Sequence, residues 1–151
     1  MSGVQVNDDC KTAFEDMKIR SKYPYIIFKI SDDKKSIEIE KKGDSFDDFT
    51  KNFPDNDCRY AVLDVEIKTK SGATANKLVF VSWSDDNASI KPKMLYASSK
   101  DALKKELTGI YAEYQATDRS ELDLDEIKKK AGGVRLVSEP NARPMLQARA
   151  S

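Results

Sequence analysis

A strand–helix–strand succession in the second half of the chain restricts the fold more than any other feature. The run "KLVFVSWS" is rich in branched and aromatic residues, as buried strands are. A helical segment, residues 90–107, follows it and leads into "GIYAEYQAT". In that stretch Ile110, Ala112, Tyr114 and Ala116 alternate with other residues, which is the period of a strand. Because a strand that returns through a helix can rejoin the same sheet in parallel, we predict one parallel crossover.

Three further stretches predict antiparallel strands. "YPYIIFKI" is apolar on both faces, and "SIEIEK" alternates Ile37 and Ile39 with two glutamates, so we expect these two to pair as a hairpin. "RYAVLDVEIKT" pairs with "KLVFVSWS" through the glycine-containing loop "KSGATAN".

Helices are predicted between these strands. "VNDDCKTAFEDMKI" carries Asn7 or Asp8 as an N-cap, and "DSFDDFTKNF" spaces three phenylalanines helically before Pro54. "DRSELDLDEIKKK" is predicted as a last helix with lysines in its final turn. The fold class expected is α/β (α+β): one domain, residues 1–130, with a central mixed, mostly antiparallel sheet flanked by helices on both faces. We expect residues 131–151 to form an extension with one short strand, "VRLV", followed by a flexible tail.

Composition removes several classes of function. The 26 basic residues balance the 26 acidic ones, which argues against a nucleic-acid binder. Histidine is absent, and no phosphate loop, dinucleotide fingerprint or serine-hydrolase motif occurs, so we expect no enzyme, cofactor or metal site. No apolar run could span a membrane, and the start of the chain lacks a secretory signal. Cys10 and Cys58 fit free thiols of a cytoplasmic protein.

The long helix, "IKPKMLYASSKDALKKEL", places its lysines in one stripe. On a helical wheel Lys100 and Lys104 fall within about 20° of Lys93 and Ala97 within about 40° of it, opposite an apolar arc that includes Tyr96, Leu103 and Leu107. We therefore expect the stripe to face away from the sheet. The stripe is either an ordinary solvent-exposed face of the helix or a surface that binds a partner. Met94 beside it favours the binding surface, because an exposed methionine side chain can adapt to a partner.

Ser98 and Ser99 interrupt the helical pattern of this segment. Serine can bond back to a preceding carbonyl, and Ser98 with Asp101 matches a local capping pattern. We predict a bend or a local restart of the helix there.

The stretches "IKPKMLYASSKDALKKELTGI", "DCRYAVLDVE", "FVSW" and "YQATDRSEL" together resemble the actin-depolymerising factor/cofilin family. The resemblance covers about residues 2–130 and implies the mixed sheet expected above. It also implies a monomeric protein of the cytoplasmic actin cytoskeleton that binds actin monomers and filament sides, prefers the ADP form, and severs or depolymerises filaments.

The resemblance implies two actin-binding surfaces. Its monomer surface maps onto the N-terminal segment and the long helix: Ser2, Gly3, Val4, Lys91, Lys93, Met94, Lys100, Asp101, Lys104 and Lys105. Ser2 matches the serine whose phosphorylation inactivates such proteins; the alternative for Ser2 is an unregulated, processed N-terminus. The filament surface maps onto Lys77, Lys128, Lys129 and Lys130, although lysines that complement a helix dipole would look the same. These lysines are also candidates for phosphoinositide headgroups.

Two departures from the family pattern limit what can be carried over. No histidine is present for the pH sensing of some relatives, and the basic nuclear-import insert of vertebrate members is missing. The competing interpretation keeps the fold but makes the protein a monomer-sequestering or branch-complex-binding regulator like glia maturation factor, with little or no severing. A small hydrolase or transferase that uses carboxylates is a third hypothesis, for which the sequence offers no constellation.

Overall fold

A computed structural model of the protein describes residues 3–20, 23–45, 49–68 and 71–130. The strands are β1 (Gln5–Val6), β2 (Tyr25–Ile30), β3 (Ser36–Lys42), β4 (Cys58–Lys68), β5 (Thr74–Ser84) and β6 (Ala112–Ala116). The helices are α1 (Asp8–Arg20), α2 (Ile90–Glu106) and α3 (Leu124–Lys130), with 3₁₀ turns at Phe49–Asn52 and Arg119–Glu121. The predicted extension at 131–151 lies outside the described residues.

The six strands form one sheet in the order β1-β3-β2-β4-β5-β6. The pairs β2–β3, β2–β4 and β4–β5 are antiparallel, as the two predicted hairpins require. The predicted crossover is also confirmed, because β6 runs parallel to β5 with Val79 opposite Ala112. The sheet is therefore mixed and mostly antiparallel, as expected.

The first strand, β1, was not predicted. The sequence analysis placed Val6 in the first helix, whereas Gln5 and Val6 pair in parallel with β3. The Asn7 side-chain oxygen accepts a hydrogen bond from the Asp9 N–H at 3.2 Å, so Asn7 acts as the cap and α1 begins one residue later. Two residues are too few to produce a readable alternation of apolar and polar positions.

Helical elements cover both faces of the sheet and bury two cores. On one face α1 and α2 pack on the sheet, with Phe14, Met17 and Leu103 fully buried. On the other face the two 3₁₀ turns and α3 cover Trp83, among other residues. Strand residues alternate between the two cores because successive side chains of a strand point to opposite faces. No helix among the described residues is long and apolar enough to cross a membrane.

Two predicted helices are shorter than the sequence pattern indicated. Within 44–53 the described residues form only a 3₁₀ turn at Phe49–Asn52, although Phe49 and Phe53 are buried as the spacing required. The stretch 118–130 divides into the 3₁₀ turn at Arg119–Glu121 and α3. The Asp118 side chain does cap the 3₁₀ turn, accepting from the Ser120 N–H at 2.7 Å.

Both cysteines are free thiols, as the sequence analysis expected, and both are buried. Burial, reinforced by the nearby Asp9 carboxylate, raises the pKa of Cys10 to about 12. Burial also raises the pKa of Cys58. Both thiols therefore stay protonated and poorly nucleophilic near neutral pH.

The contribution of the core beneath α2 can be tested with two substitutions on the same helix. Leu103→Ala removes a fully buried side chain, so we expect it to lower the free energy of unfolding by about 2–5 kcal/mol. Met94→Ala is the matched control: Met94 is 67% exposed, so the change should stay within about 0.5 kcal/mol. Urea unfolding followed by circular dichroism measures both, and equal effects would contradict this packing of α2.

Candidate binding surface on the long helix

Two tyrosines fix α2 on the sheet. The buried Tyr96 of α2 accepts a hydrogen bond from the Ile30 N–H at its hydroxyl oxygen, 2.9 Å away. Tyr60 of β4 donates its own hydroxyl proton to the Tyr96 backbone carbonyl, and the two rings lie 5.0 Å apart. Burial raises the pKa of both hydroxyls, so both remain neutral donors and acceptors. The rotation of α2 about its axis is thereby set.

The face of α2 turned away from the sheet carries an exposed ridge. Ile90 is 71% and Met94 67% exposed, and Ala97, Asp101 and Lys105 are exposed as well. These five positions span about 80° of the helix circumference, so they form one continuous strip, which we call the outer ridge. Two large apolar side chains next to charged residues are typical of a surface that binds a protein partner.

The sequence analysis identified Met94 on this ridge and missed Ile90. Ile90 is the first residue of α2, where an apolar side chain suggests a contact with the core. Its spacing of four residues from Met94 is the signal that places both on one face.

Ala97 of the stripe lies on the outer ridge, but the three lysines of the stripe do not face away from the sheet, so the prediction was wrong for them. Lys93 donates to the Asp86 carbonyl at 2.9 Å, while Lys100 and Lys104 reach across to the carboxylate of Glu113 on β6, at 3.1 and 3.2 Å. A lysine stem is long enough to fold back onto a neighbouring carboxylate, and β6 offers one beside the helix. The stripe therefore lies on the flank of the outer ridge.

Lys91 and Lys105 are the outward-facing lysines of α2. Both side chains are exposed, and within the described ranges neither forms an ion pair. Of the predicted monomer-surface lysines, these two are the exposed ones, since Lys93, Lys100 and Lys104 are half-buried.

The two serines do not interrupt the helix. Ser98 donates its hydroxyl to the Leu95 carbonyl at 3.1 Å, and Ser99 is fully buried. Helix α2 runs without a break from Ile90 to Glu106, so the predicted restart is wrong. The back-bond from Ser98 satisfies the hydroxyl that was expected to start a new cap.

Glu113 occupies the junction between α2 and the sheet edge. Although partial burial acts to raise its pKa, the hydrogen bonds and charges of Lys100 and Lys104 outweigh burial and lower the pKa below the usual range. The carboxylate lines a polar cavity of about 330 Å³, to which α3 contributes Lys130. Glu113 had no role in the sequence analysis, because only the fold brings β6 beside this part of α2.

The residues predicted for the filament surface fall into three places. Lys77 lies within β5, with its ammonium group 4.4 Å from the centre of the exposed Tyr111 ring. Lys128 and Lys129 line a depression at the end of β4, next to Glu66 and Lys68, while Lys130 lies with Lys100. The structure thus separates the last lysine from its two neighbours.

The N-terminal segment lies beside α2 as far as the structure describes it. Strand β1 contacts α2, Gly3 is exposed, and Val4 is buried in the core beneath the helix. Ser2, the predicted phosphorylation site, lies outside the described residues. Among those residues no group of three or more cysteine, aspartate or glutamate side chains could hold a metal ion.

Comparisons with known proteins agree with this architecture. A family model described as "Cofilin/tropomyosin-type actin-binding protein" matches residues 3–132. The chain is 46% identical to actin-depolymerizing factor 8 of Arabidopsis thaliana over 130 residues, 84% of this chain and 93% of that protein. It is 44% identical to actin-depolymerizing factor 2 of Petunia hybrida, over 88% of this chain and 95% of that protein.

Solved structures show the same fold. A crystal structure of cofilin from Streptomyces griseoflavus superposes with a TM-score of 0.79 at 43% identity, covering 85% of this chain and 97% of that one. Glia maturation factor from Caenorhabditis elegans has a TM-score of 0.68 at 20% identity, covering 84% of this chain and 94% of that one, so it shares the fold alone. The chain belongs to the actin-depolymerising factor/cofilin family.

Proposed function

We propose that this protein binds actin monomers and the sides of actin filaments, and that it severs and depolymerises filaments to promote actin turnover in the cytoplasm. The observation that carries the proposal is the outer ridge of α2, where exposed Ile90 and Met94 stand among lysines in a chain of this family. The names of its relatives, actin-depolymerizing factors at 44% to 46% identity, support the partner and the activity.

The outer ridge suits a partner with an apolar cleft and an acidic rim. Ile90 and Met94 can lose their water on binding, which supplies affinity at the centre of an interface. Lys91 lies next to them and Lys105 lies at the far end of the outer ridge, and both supply the charge that steers an acidic surface and selects its orientation. No covalent chemistry is needed for this activity.

Filament severing follows from binding that favours one filament state. If the protein prefers ADP-loaded subunits in a twisted arrangement, binding shifts the filament toward that arrangement. Contacts at the boundary between bound and bare segments are then weaker, so the filament breaks there. A single copy suffices for this mechanism, and we propose that the protein acts as a monomer.

Charge reversal at the two outward-facing lysines tests the monomer surface. Lys91→Glu combined with Lys105→Glu should weaken binding to fluorescently labelled ADP-actin monomers at least tenfold, because both charges lie exposed on the outward side of α2. The melting temperature should be nearly unchanged, since neither side chain has an ion pair within the described ranges. Lys11→Glu with Lys51→Glu, also exposed, is the matched control for net charge. Equal binding by both double variants would mean that α2 is an ordinary solvated helix.

A second surface for the filament is proposed at Lys77 and at the depression that Lys128 and Lys129 line. Lys77→Ala combined with Lys128→Ala and Lys129→Ala should reduce co-sedimentation with filaments several-fold and leave monomer affinity within about twofold. Lys130 is kept in this variant because it lies beside Lys100 of the monomer surface. A parallel loss of monomer binding would refute the separation into two surfaces.

Ser2 is proposed as a site where phosphorylation switches the protein off. A phosphate would add about −1.5 to −2 charges to a segment that must meet an acidic partner. Ser2→Glu, which adds a single charge, is expected to weaken monomer binding at least several-fold, and Ser2→Ala should bind like the wild type. If fluorescence titration gives the same affinity for both variants, charge at this position does not regulate binding.

One further property is proposed for the lysines of α2 and α3. Phosphoinositide headgroups carry the negative charge that the lysines of α2 and α3 attract, so such lipids would compete with actin. The alternative function, a sequestering or branch-complex-binding regulator, predicts little or no filament severing. Imaging of single filaments, together with co-sedimentation against purified branch complex, separates the two functions.

A further inference from the structure

Two lysines of the proposed actin-binding helix share a single carboxylate on the neighbouring strand. One oxygen of Glu113 lies 3.2 Å from the Lys104 ammonium nitrogen, and the other lies 3.1 Å from that of Lys100. The Lys104 contact is a hydrogen bond, whereas the Lys100 contact is an ion pair without hydrogen-bond geometry, and about a third of each of the three side chains is exposed. The arrangement is a bridge rather than a simple surface ion pair.

The fold places this carboxylate beneath the lysines. Ala112 and Tyr114 of β6 pack against the core on the α3 side of the sheet. Because side chains alternate along a strand, Glu113 between them points to the α2 side. Lys100 and Lys104 are four residues apart, so they are neighbours on the helix surface and both reach the same carboxylate.

Glu113 has two opposite effects on a lysine surface that meets an acidic partner. Its negative charge partly cancels the two positive charges, which weakens long-range attraction. Its two contacts also hold the ammonium groups in place, which reduces the ordering that binding would otherwise require of two long side chains. A substitution that removes the charge therefore changes affinity in opposite directions according to which effect dominates.

We propose that Glu113 is a positioning residue of the actin-binding surface, which holds Lys100 and Lys104 ready for contact at the flank of the outer ridge. The inference rests on the proposed function of α2. A side chain on β6, outside both surfaces that the sequence analysis assigned, thereby determines how α2 meets its partner.

The test compares two glutamate-to-glutamine substitutions, which change the net charge of the protein by the same amount. Glu113→Gln removes the charge and the bridge, and we expect monomer binding to weaken about three- to tenfold, because two lysines must then be ordered on binding. Glu106→Gln is the control, since Glu106 is exposed on the same helix and has no ion pair among the described residues. It should leave affinity unchanged or slightly tighter. If Glu113→Gln binds as well as Glu106→Gln, or more tightly, the proposal is wrong.

A measurement without actin checks the positioning directly. NMR relaxation of the terminal lysine methylene carbons should show Lys100 and Lys104 more restricted than Lys105 in the wild type, and as mobile as Lys105 in Glu113→Gln. Equal mobility of the three lysines in the wild type would overturn the proposal whatever the affinities are.

Glu113→Asp keeps the charge but is too short to bridge both lysines, so a partial loss of affinity is expected; an affinity equal to that of the wild type would contradict the bridge. Wild-type protein that binds no actin would instead refute the proposed function of α2.

Discussion

The hydrogen bonds of Tyr60 and Tyr96 fix the orientation of α2 on the sheet, and the arrangement of the exposed residues of this helix depends on them. A helix packed only by apolar side chains can rotate slightly about its axis at small cost, since apolar contacts are not directional. The hydrogen bonds between the Tyr96 hydroxyl and Ile30, and between the Tyr60 hydroxyl and the Tyr96 carbonyl, are directional and buried. They determine which residues of α2 meet the core, and hence which ones remain for a partner.

The electrostatics of the binding face follow from that orientation. With Tyr96 fixed, Lys100 and Lys104 come to lie beside β6, where the Glu113 carboxylate bridges them. Lys91 and Lys105 remain outside this pairing and carry the net positive charge of the outer face. A chain of zero formal net charge thus presents a locally basic helix, because α2 carries five lysines against two acidic residues, Asp101 and Glu106.

Most of the fold could be predicted from the sequence, because the strands and the long helix have clear periodicity. Dense apolar runs identified β2, β4 and β5, and the strand–helix–strand order identified the parallel crossover. The elements missed were short: β1 has two residues, and the 3₁₀ turn at Phe49–Asn52 has four. Elements of this size are stabilised by tertiary packing rather than by local preference, so the local sequence carries little signal for them.

For the candidate surface, the sequence could suggest residues but could not show the directions in which their side chains point. The helical wheel placed Met94 on the solvent side correctly, yet it could not show that a carboxylate of β6 would attract the lysine stripe. That information depends on the register between β5 and β6, which places Glu113 opposite Phe80. A helical wheel of one helix cannot predict ion pairs with elements that are distant in sequence.

The edges of the sheet matter for the filament binding proposed above, in which copies of the protein would pack side by side. Copies brought into rows would meet through any long, unpaired strand edge, and such edges promote uncontrolled strand pairing. In the described part of the chain, one edge of the sheet is the two-residue β1, and the other is β6, five residues long and carrying the charged Glu113. Because these edge strands are short or charged, neighbouring copies on a filament would not pair strand to strand, and the sheet of each copy would stay separate.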